Sequence, residues 1–184
     1  MNLVQRLQQK EEKALVQLME LHGDYLLRTA FLLVKDRQVA EEIVQDSFIV
    51  AFDKIDQLQH EERLRNWLTM ISLNLCRSRM RKWSWKHILV GFEDKFENLE
   101  DDEIVNGPED MLMTLSQNTE LYIAIQQLDY KYREVITLHY FNELKVNEIS
   151  DQLNEKDSTI KTRLSRGRKL LKEILLKGGL KHAE

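Results

Sequence analysis

The sequence predicts an all-α protein made of two small helical domains, and three observations carry that expectation. Apolar residues recur at three- and four-residue intervals rather than in alternation, so no segment has the period of a strand. The 184 residues include one proline and six glycines, with 42% apolar and 32% charged residues, the balance of a helix-rich globular chain. Periodicity fails from about Lys86 to Gln117, where Gly91, Gly107 and Pro108 fall among like charges that favour an extended connector. The expected layout is a four-helix unit over 1–86, an acidic flexible linker over 87–117 and a second helical domain over 118–184.

In the first domain, a helix over Gln9–Leu21 is expected to stop near Gly23, since glycine takes the left-handed conformation past a helix end. The next, Asp24–Val34, is so apolar that it reads as the buried centre of the unit. A helix from Arg37 to Gln57 puts Val44, Phe48, Ala51, Phe52 and Ile55 on one stripe and leaves Glu41, Glu42, Gln45 and Asp46 polar. A fourth, Glu61–Trp83, does likewise with Leu64, Trp67, Leu68, Ile71 and Leu75, and its outer face is cationic. Beyond the linker, helices are expected over Asn118–Leu128, Lys131–Phe141, Val146–Leu153 and Thr159–Leu176.

The net charge of -4 hides a sorted distribution. Arg63 to Phe92 holds seven basic residues and no acid, Glu93 to Asp110 holds nine acids against Lys95, and Ser158 to Glu184 holds eight basic residues against two acids. Two cationic modules therefore flank an anionic connector. The single cysteine, Cys76, cannot form an internal disulfide, no apolar run approaches bilayer length, and the N-terminus lacks a signal-peptide core, so the expected location is cytoplasmic.

The strongest local signal is VNEISDQLNEKDSTIKTRLSRGRKLL, residues 146–171: a short helix, a polar turn and a cationic helix. Ile149 and Leu153 would pack on Ile160 and Leu164 to fix a helix-turn-helix, with Asp157 or Ser158 as the second helix's cap. Ser158, Thr159, Lys161, Thr162, Arg163, Ser165 and Arg166 then supply groups suited to phosphates and base edges in a major groove. Gly167 inside that helix points to close packing or a phosphate approach. A plain amphipathic helix pair with a solvated cationic face is the bland alternative.

The second constellation is LRNWLTMISLNLCRSRMRKWSWKH, residues 64–87, where tryptophans interleave with arginines. Cations for phosphates beside aromatic faces for unstacked bases suit single-stranded DNA. Trp67 reads as core, whereas Trp83 and Trp85, at the cationic helix end, are open to either role.

With these segments in order, the chain resembles an extracytoplasmic-function sigma factor, the minimal kind with conserved regions two and four alone. The resemblance implies that AEEIVQDSFIVAF, residues 40–52, docks on RNA polymerase, with Glu42, Gln45, Asp46 and Phe48 as contacts. It also implies that the segment 64–82 melts and reads the minus-ten element, with Asn74, Arg77, Arg81, Lys82 and Trp83 at the unpaired strand. LDYKYREVITLHYFNELKVNEISDQL and STIKTRLSRGRKLL resemble the minus-thirty-five reader. The partners so implied are core RNA polymerase, promoter DNA and a membrane-anchored anti-sigma factor, and the function is an alternative sigma factor for a stress or envelope response. The sequence departs from the family pattern in having Ser158 for the usual glycine, Asp129 for the usual proline and SLNLC, residues 72–76, as the capture stretch. The acidic linker fits a segment threaded through the polymerase cleft as well as it fits a passive tether.

No cofactor, metal or small-molecule substrate is expected, and no enzyme. His22, His60, His87, His139 and His182 are scattered, none joins Cys76 at metal-ligand spacing, and no glycine-rich phosphate loop occurs. Two rival readings are a free-standing helix-turn-helix regulator, which would bind duplex DNA without polymerase, and a helical adaptor that binds no DNA. Paired cationic modules fit two promoter elements better than one symmetric operator.

Overall fold

The computed structural model describes residues 1–89 and 119–181, which form helices and short connections with no strand among the described residues. The first unit contains α1 (Leu3–Gln8), α2 (Glu12–Val34), α3 (Arg37–Asp53) and α4 (Leu64–Leu89), with two single 3-10 turns between α3 and α4. The second contains α5 (Thr119–Gln126), α6 (Tyr130–Ile136), α7 (Val146–Leu153) and α8 (Asp157–Lys181). The expected all-α class and helix-turn-helix are present.

Local chemistry accounts for the helix ends. Asn2 opens α1 by accepting from Gln5 N at 2.9 Å, while Gln5 Oε1 accepts from Asn2 N at 3.2 Å, a reciprocal capping box. Asp36 opens α3 by accepting from Val39 N at 2.9 Å. Glu148 Oε2 accepts from Lys145 N at 2.8 Å at the start of α7, and Asn154, left-handed with φ of 52°, ends it.

Gly23 does not end a helix. Leu21 and Asp24 lie within one continuous α2, because the apolar stripe of Ala14, Leu18, Leu26 and Ala30 keeps its phase across the glycine. Burying that stripe outweighs the ~1 kcal/mol that a helical glycine costs. The true stop is Lys35, left-handed with φ of 63°. The expected helix over Arg37–Gln57 ends earlier, at Asp53, where a 3-10 turn turns Ile55 into the core.

The helix over Lys131–Phe141 changes character midway. After Ile136 it widens into a π-helical turn, Thr137–Phe141, closed by Asn142 N donating to Thr137 O at 3.1 Å. The extra residue carries Asn142 to α2, where its Nδ2 donates to Thr29 Oγ1 at 2.7 Å.

The two units share one continuous core. Their contact answers a need of α2, whose last-turn carbonyls have no partner within the helix. Arg133 donates to Leu33 O at 2.9 Å and to Leu128 O at 2.6 Å, and Gln126 Nε2 donates to Leu32 O at 3.4 Å. The guanidinium also complements the negative end of the helix dipole. Beside it, Phe31 stacks on Tyr122 with ring centroids 5.7 Å apart. The linker expected over 87–117 lies, from residue 90 onward, outside the described residues.

Candidate nucleic-acid and polymerase interfaces

The helix-turn-helix closes as its sequence demands: Ile149, Leu153, Ile160 and Leu164 are each no more than 5% exposed. Neither Asp157 nor Ser158 is the cap of α8. The helix starts at Asp157, two residues before the expected Thr159, with Lys156 O accepting from Thr159 N and Ile160 N, so Asp157 sits in the first turn, where its charge suits the dipole.

Five of the seven expected minus-thirty-five residues, Ser158, Lys161, Thr162, Ser165 and Arg166, are exposed. Their spacing of three, four, seven and eight puts them on one stripe. Thr159 is half-buried beside them. Arg163 differs, because its Nη2 lies 2.8 Å from Glu155 Oε1 and the side chain is turned onto the helix-turn-helix turn. Gly167 is explained by packing: a Cβ there would stand 3.1 Å from Ile136 Cγ1 and 3.5 Å from Tyr132 Cβ. Close approach of α6 and α8 leaves a cleft of about 400 Å³ lined by Ser158, Thr159, Thr162, Arg163 and Arg166 and, from α6, by Lys131 and Tyr132. Lys131 Nζ lies 5.0 Å from the Tyr132 ring centroid. Sequence reasoning missed Lys131 and Tyr132, since nothing local ties them to residues almost thirty positions downstream; the Lys-Tyr pairing itself was the available signal.

On α4, Asn74, Arg81 and Lys82 are exposed, as expected of residues at an unpaired strand, and Trp67 packs against the core. Arg77 is half-buried, with its Nε 3.3 Å from Glu134 Oε1 of α6. Burial pushes the Glu134 carboxyl above the usual carboxylate range, against the opposing pull of Arg77. The Trp83 side chain lies outside the described residues.

On α3, Gln45 and Asp46 are exposed, and Glu42 is half-exposed with its Oε2 3.2 Å from Arg79 Nη1. Phe48 corrects the expectation of a polymerase contact: it is 3% exposed and belongs to the core, so it holds α3 in place and offers no surface. Its neighbour Ile49 is 58% exposed and continues the stripe Glu42, Gln45, Asp46 at helical spacing. An exposed isoleucine framed by acids is what a polar-rimmed contact requires at its centre. Helical phase was the signal for it in the sequence.

Both helical units also match known proteins. Residues 18–86 match the family model "Sigma-70 region 2" and residues 119–171 match "Sigma-70, region 4". RNA polymerase sigma factor SigV of Bacillus subtilis is 31% identical over 159 residues, covering 86% of this chain and 89% of that one. The chain belongs to the extracytoplasmic-function sigma factors of the sigma-70 family. ECF RNA polymerase sigma factor SigW of the same organism is 29% identical over 176 residues, 94% of each chain. Among solved structures, the sigma factor RpoE from Bartonella quintana, crystallised with the anti-sigma factor NepR, shares the fold with a TM-score of 0.66 at 24% identity, covering 86% of this chain and 94% of that one. CnrH, solved with the cytosolic domain of CnrY, does so with a TM-score of 0.64 at 22% identity and 94% coverage of each chain. This sigma factor is thus an alternative sigma factor, whose partners are core RNA polymerase and promoter DNA. Among the described residues no helix is long and apolar enough to cross a membrane.

Proposed function

We propose that the sigma factor divides promoter recognition between two domains, 1–86 and 118–184, docked on polymerase through α3. The observation that carries this is the exposed stripe of α8, Ser158, Lys161, Thr162, Ser165 and Arg166, with Lys131 beside it in the cleft. α8 lies in the major groove of the minus-thirty-five element, with Arg166 and Lys161 at base edges or phosphates and Lys131 on the flanking backbone. Arg163, braced by Glu155, positions the turn and adds charge. Asn74, Arg81, Lys82 and Trp83, joined by Arg77 once it is released, hold the unpaired minus-ten strand. Asp46, Gln45 and Glu42, around Ile49, contact the polymerase clamp.

The protein acts in the cytoplasm as an initiation factor without chemistry of its own, and serves a stress or envelope-response regulon. An anti-sigma factor holds it inactive; support comes from the solved relative RpoE, which was crystallised with one. Runoff transcription with bacterial core polymerase on a pool of host DNA fragments tests the reading. Promoter-specific transcripts that require the protein are expected. Absence of transcripts together with tight binding of the protein alone to a duplex site would replace it with a free-standing regulator.

A further inference from the structure

We propose that α1 is a splint for the connection between α3 and α4, and that Lys10 and Asn2 are positioning residues through which it sets Arg63 and the start of α4 for promoter opening. The inference rests on the reading of α4 as the minus-ten surface.

The connection is held chiefly from outside itself. From Lys54 to Arg63 the chain makes two single 3-10 turns, with Ile55 and Leu58 in the core and Asp56, Gln57, Gln59 and His60 exposed. At its entrance the last carbonyls of α3 lack partners within the helix. Lys10 Nζ donates to Phe52 O and, at 3.2 Å, to Asp53 O, and lies 5.0 Å from the Phe52 ring centroid. At its exit, Asn2 Nδ2 donates to the two carboxylate oxygens of Glu61 at 2.7 and 2.6 Å. Glu61 opens the turn that runs straight into α4 at Leu64. Arg63, in that turn, is exposed and is the first cation of the basic stretch that continues through α4. Since α4 runs unbroken to Leu89, the angle at which it starts is carried on to Asn74 and Arg81.

The short helix is fixed firmly enough to act as a splint. Six residues do not hold a helix in water by themselves. Val4 and Leu7 are buried, and Arg6 grips Glu11 with bonds of 2.8 and 2.7 Å and reaches Gln17 at 2.9 Å, which ties α1 to the start of α2. Asn2 uses its oxygen to cap α1 and its nitrogen to hold Glu61. Lys10 carries the strongest sign of a role. The end of α1 closes with Lys10 N donating to Leu7 O at 2.9 Å and Glu11 N to Arg6 O at 3.1 Å, an arrangement that needs a left-handed residue and usually takes glycine. Lys10 adopts it with φ of 58°, and the side chain kept in that strained position is the one that caps α3. The match to the region 2 model begins at residue 18, so α1, Asn2 and Lys10 all lie outside the matched segment.

The test uses the full chain with core polymerase on a promoter taken from the runoff transcripts, and reads the rate at which minus-ten thymines become reactive to permanganate. Asn2→Asp keeps the oxygen that caps α1 and sets a carboxylate against Glu61. Lys10→Met removes the donor and keeps an apolar stem over Phe52. Each is expected to slow opening about fivefold, the upper range for an exposed charged contact, with polymerase affinity and melting temperature close to wild type. Two further variants should restore the wild-type rate: Asn2→Asp combined with Glu61→Gln, in which carboxylate and amide change places, and Lys10→Arg, which keeps a donor. Opening as fast as wild type in either Asn2→Asp or Lys10→Met would overturn the splint. So would slow opening that tracks a loss of melting temperature or of polymerase affinity, or that the restoring variants do not recover. Since the wild-type protein already opens the chosen promoter, these failures are distinct from failure of the sigma-factor roles themselves.

Discussion

The two cationic faces, on α8 and on α4, stand in different states within one molecule. On α8 the candidate DNA contacts form a free stripe, and the one arginine turned away, Arg163, is held by Glu155 of its own unit. On α4 the arginines are divided: Arg81 is exposed, Arg79 is paired with Glu42 of α3, and Arg77 is taken by Glu134 of the other unit. A duplex-reading helix can be presented at all times, because an intact duplex offers it a groove. A surface for unpaired bases has no work until DNA melts, and its cations can meanwhile serve contacts within the protein.

The largest effect that would break this comparison falls on the core that supports α3. Phe48→Ala should lose about 3–5 kcal/mol of stability, as for other buried aromatics, and lower the melting temperature along with activity. Ile49→Asp, one residue away and exposed, should leave the melting temperature within about 2–4 °C of wild type while weakening polymerase binding, since surface changes cost within about 0.5 kcal/mol. Equal loss of stability in both would overturn the separation of support from surface.

Next is the stripe of α8. Arg166→Ala should weaken minus-thirty-five duplex binding by about 1–3 kcal/mol, with polymerase binding intact, as measured by fluorescence anisotropy and co-purification. Arg163→Ala should cost less in binding but also lower the melting temperature of the second unit, because it frees Glu155 at the turn. Were Arg163→Ala the more damaging to binding with unchanged stability, Arg163 would be the base reader and its pairing with Glu155 a resting pose. Lys131→Ala should weaken binding evenly across sequences and reduce the salt slope by about 1, the mark of one lost phosphate contact.

The smallest expected effect is on pH. Glu134 sits above the ordinary carboxylate value, from burial first, with Arg77, Tyr130, Arg163 and Glu155 around it. The folded chain therefore holds this proton more tightly than the unfolded chain, in which Glu134 is in water. Acid favours the fold at this group: its contribution to stability should rise as pH falls through the raised value towards the ordinary one, and level off below that. Melting temperatures compared over that window should show this contribution in wild type and not in Glu134→Gln.

Much was legible in the chain itself. Val146–Leu153 was found to the residue because a strong stripe, Ile149 and Leu153, ends at an asparagine that tolerates the left-handed cap. The stripe of α8 was legible for the same reason, since helical phase alone spaces Ser158, Lys161, Ser165 and Arg166. Gly23 is a local stop signal overridden by the stripe that runs through it, and Phe48 is a contact only by resemblance, since its apolar stripe with Val44 and Ala51 already turns it towards the core.

The sequence by itself determined the all-α class, the helix-turn-helix and the two cationic modules, since all three depend on short-range periodicity and charge. Only the tertiary structure decided that Lys131 and Tyr132 join the α8 cleft and that Arg77 pairs with Glu134 of the other unit. The second outcome depends on which helix ends lack partners. The open carbonyls of α2 bring Arg133 and Gln126 of a distant segment onto it, and no local pattern in the chain records that pairing.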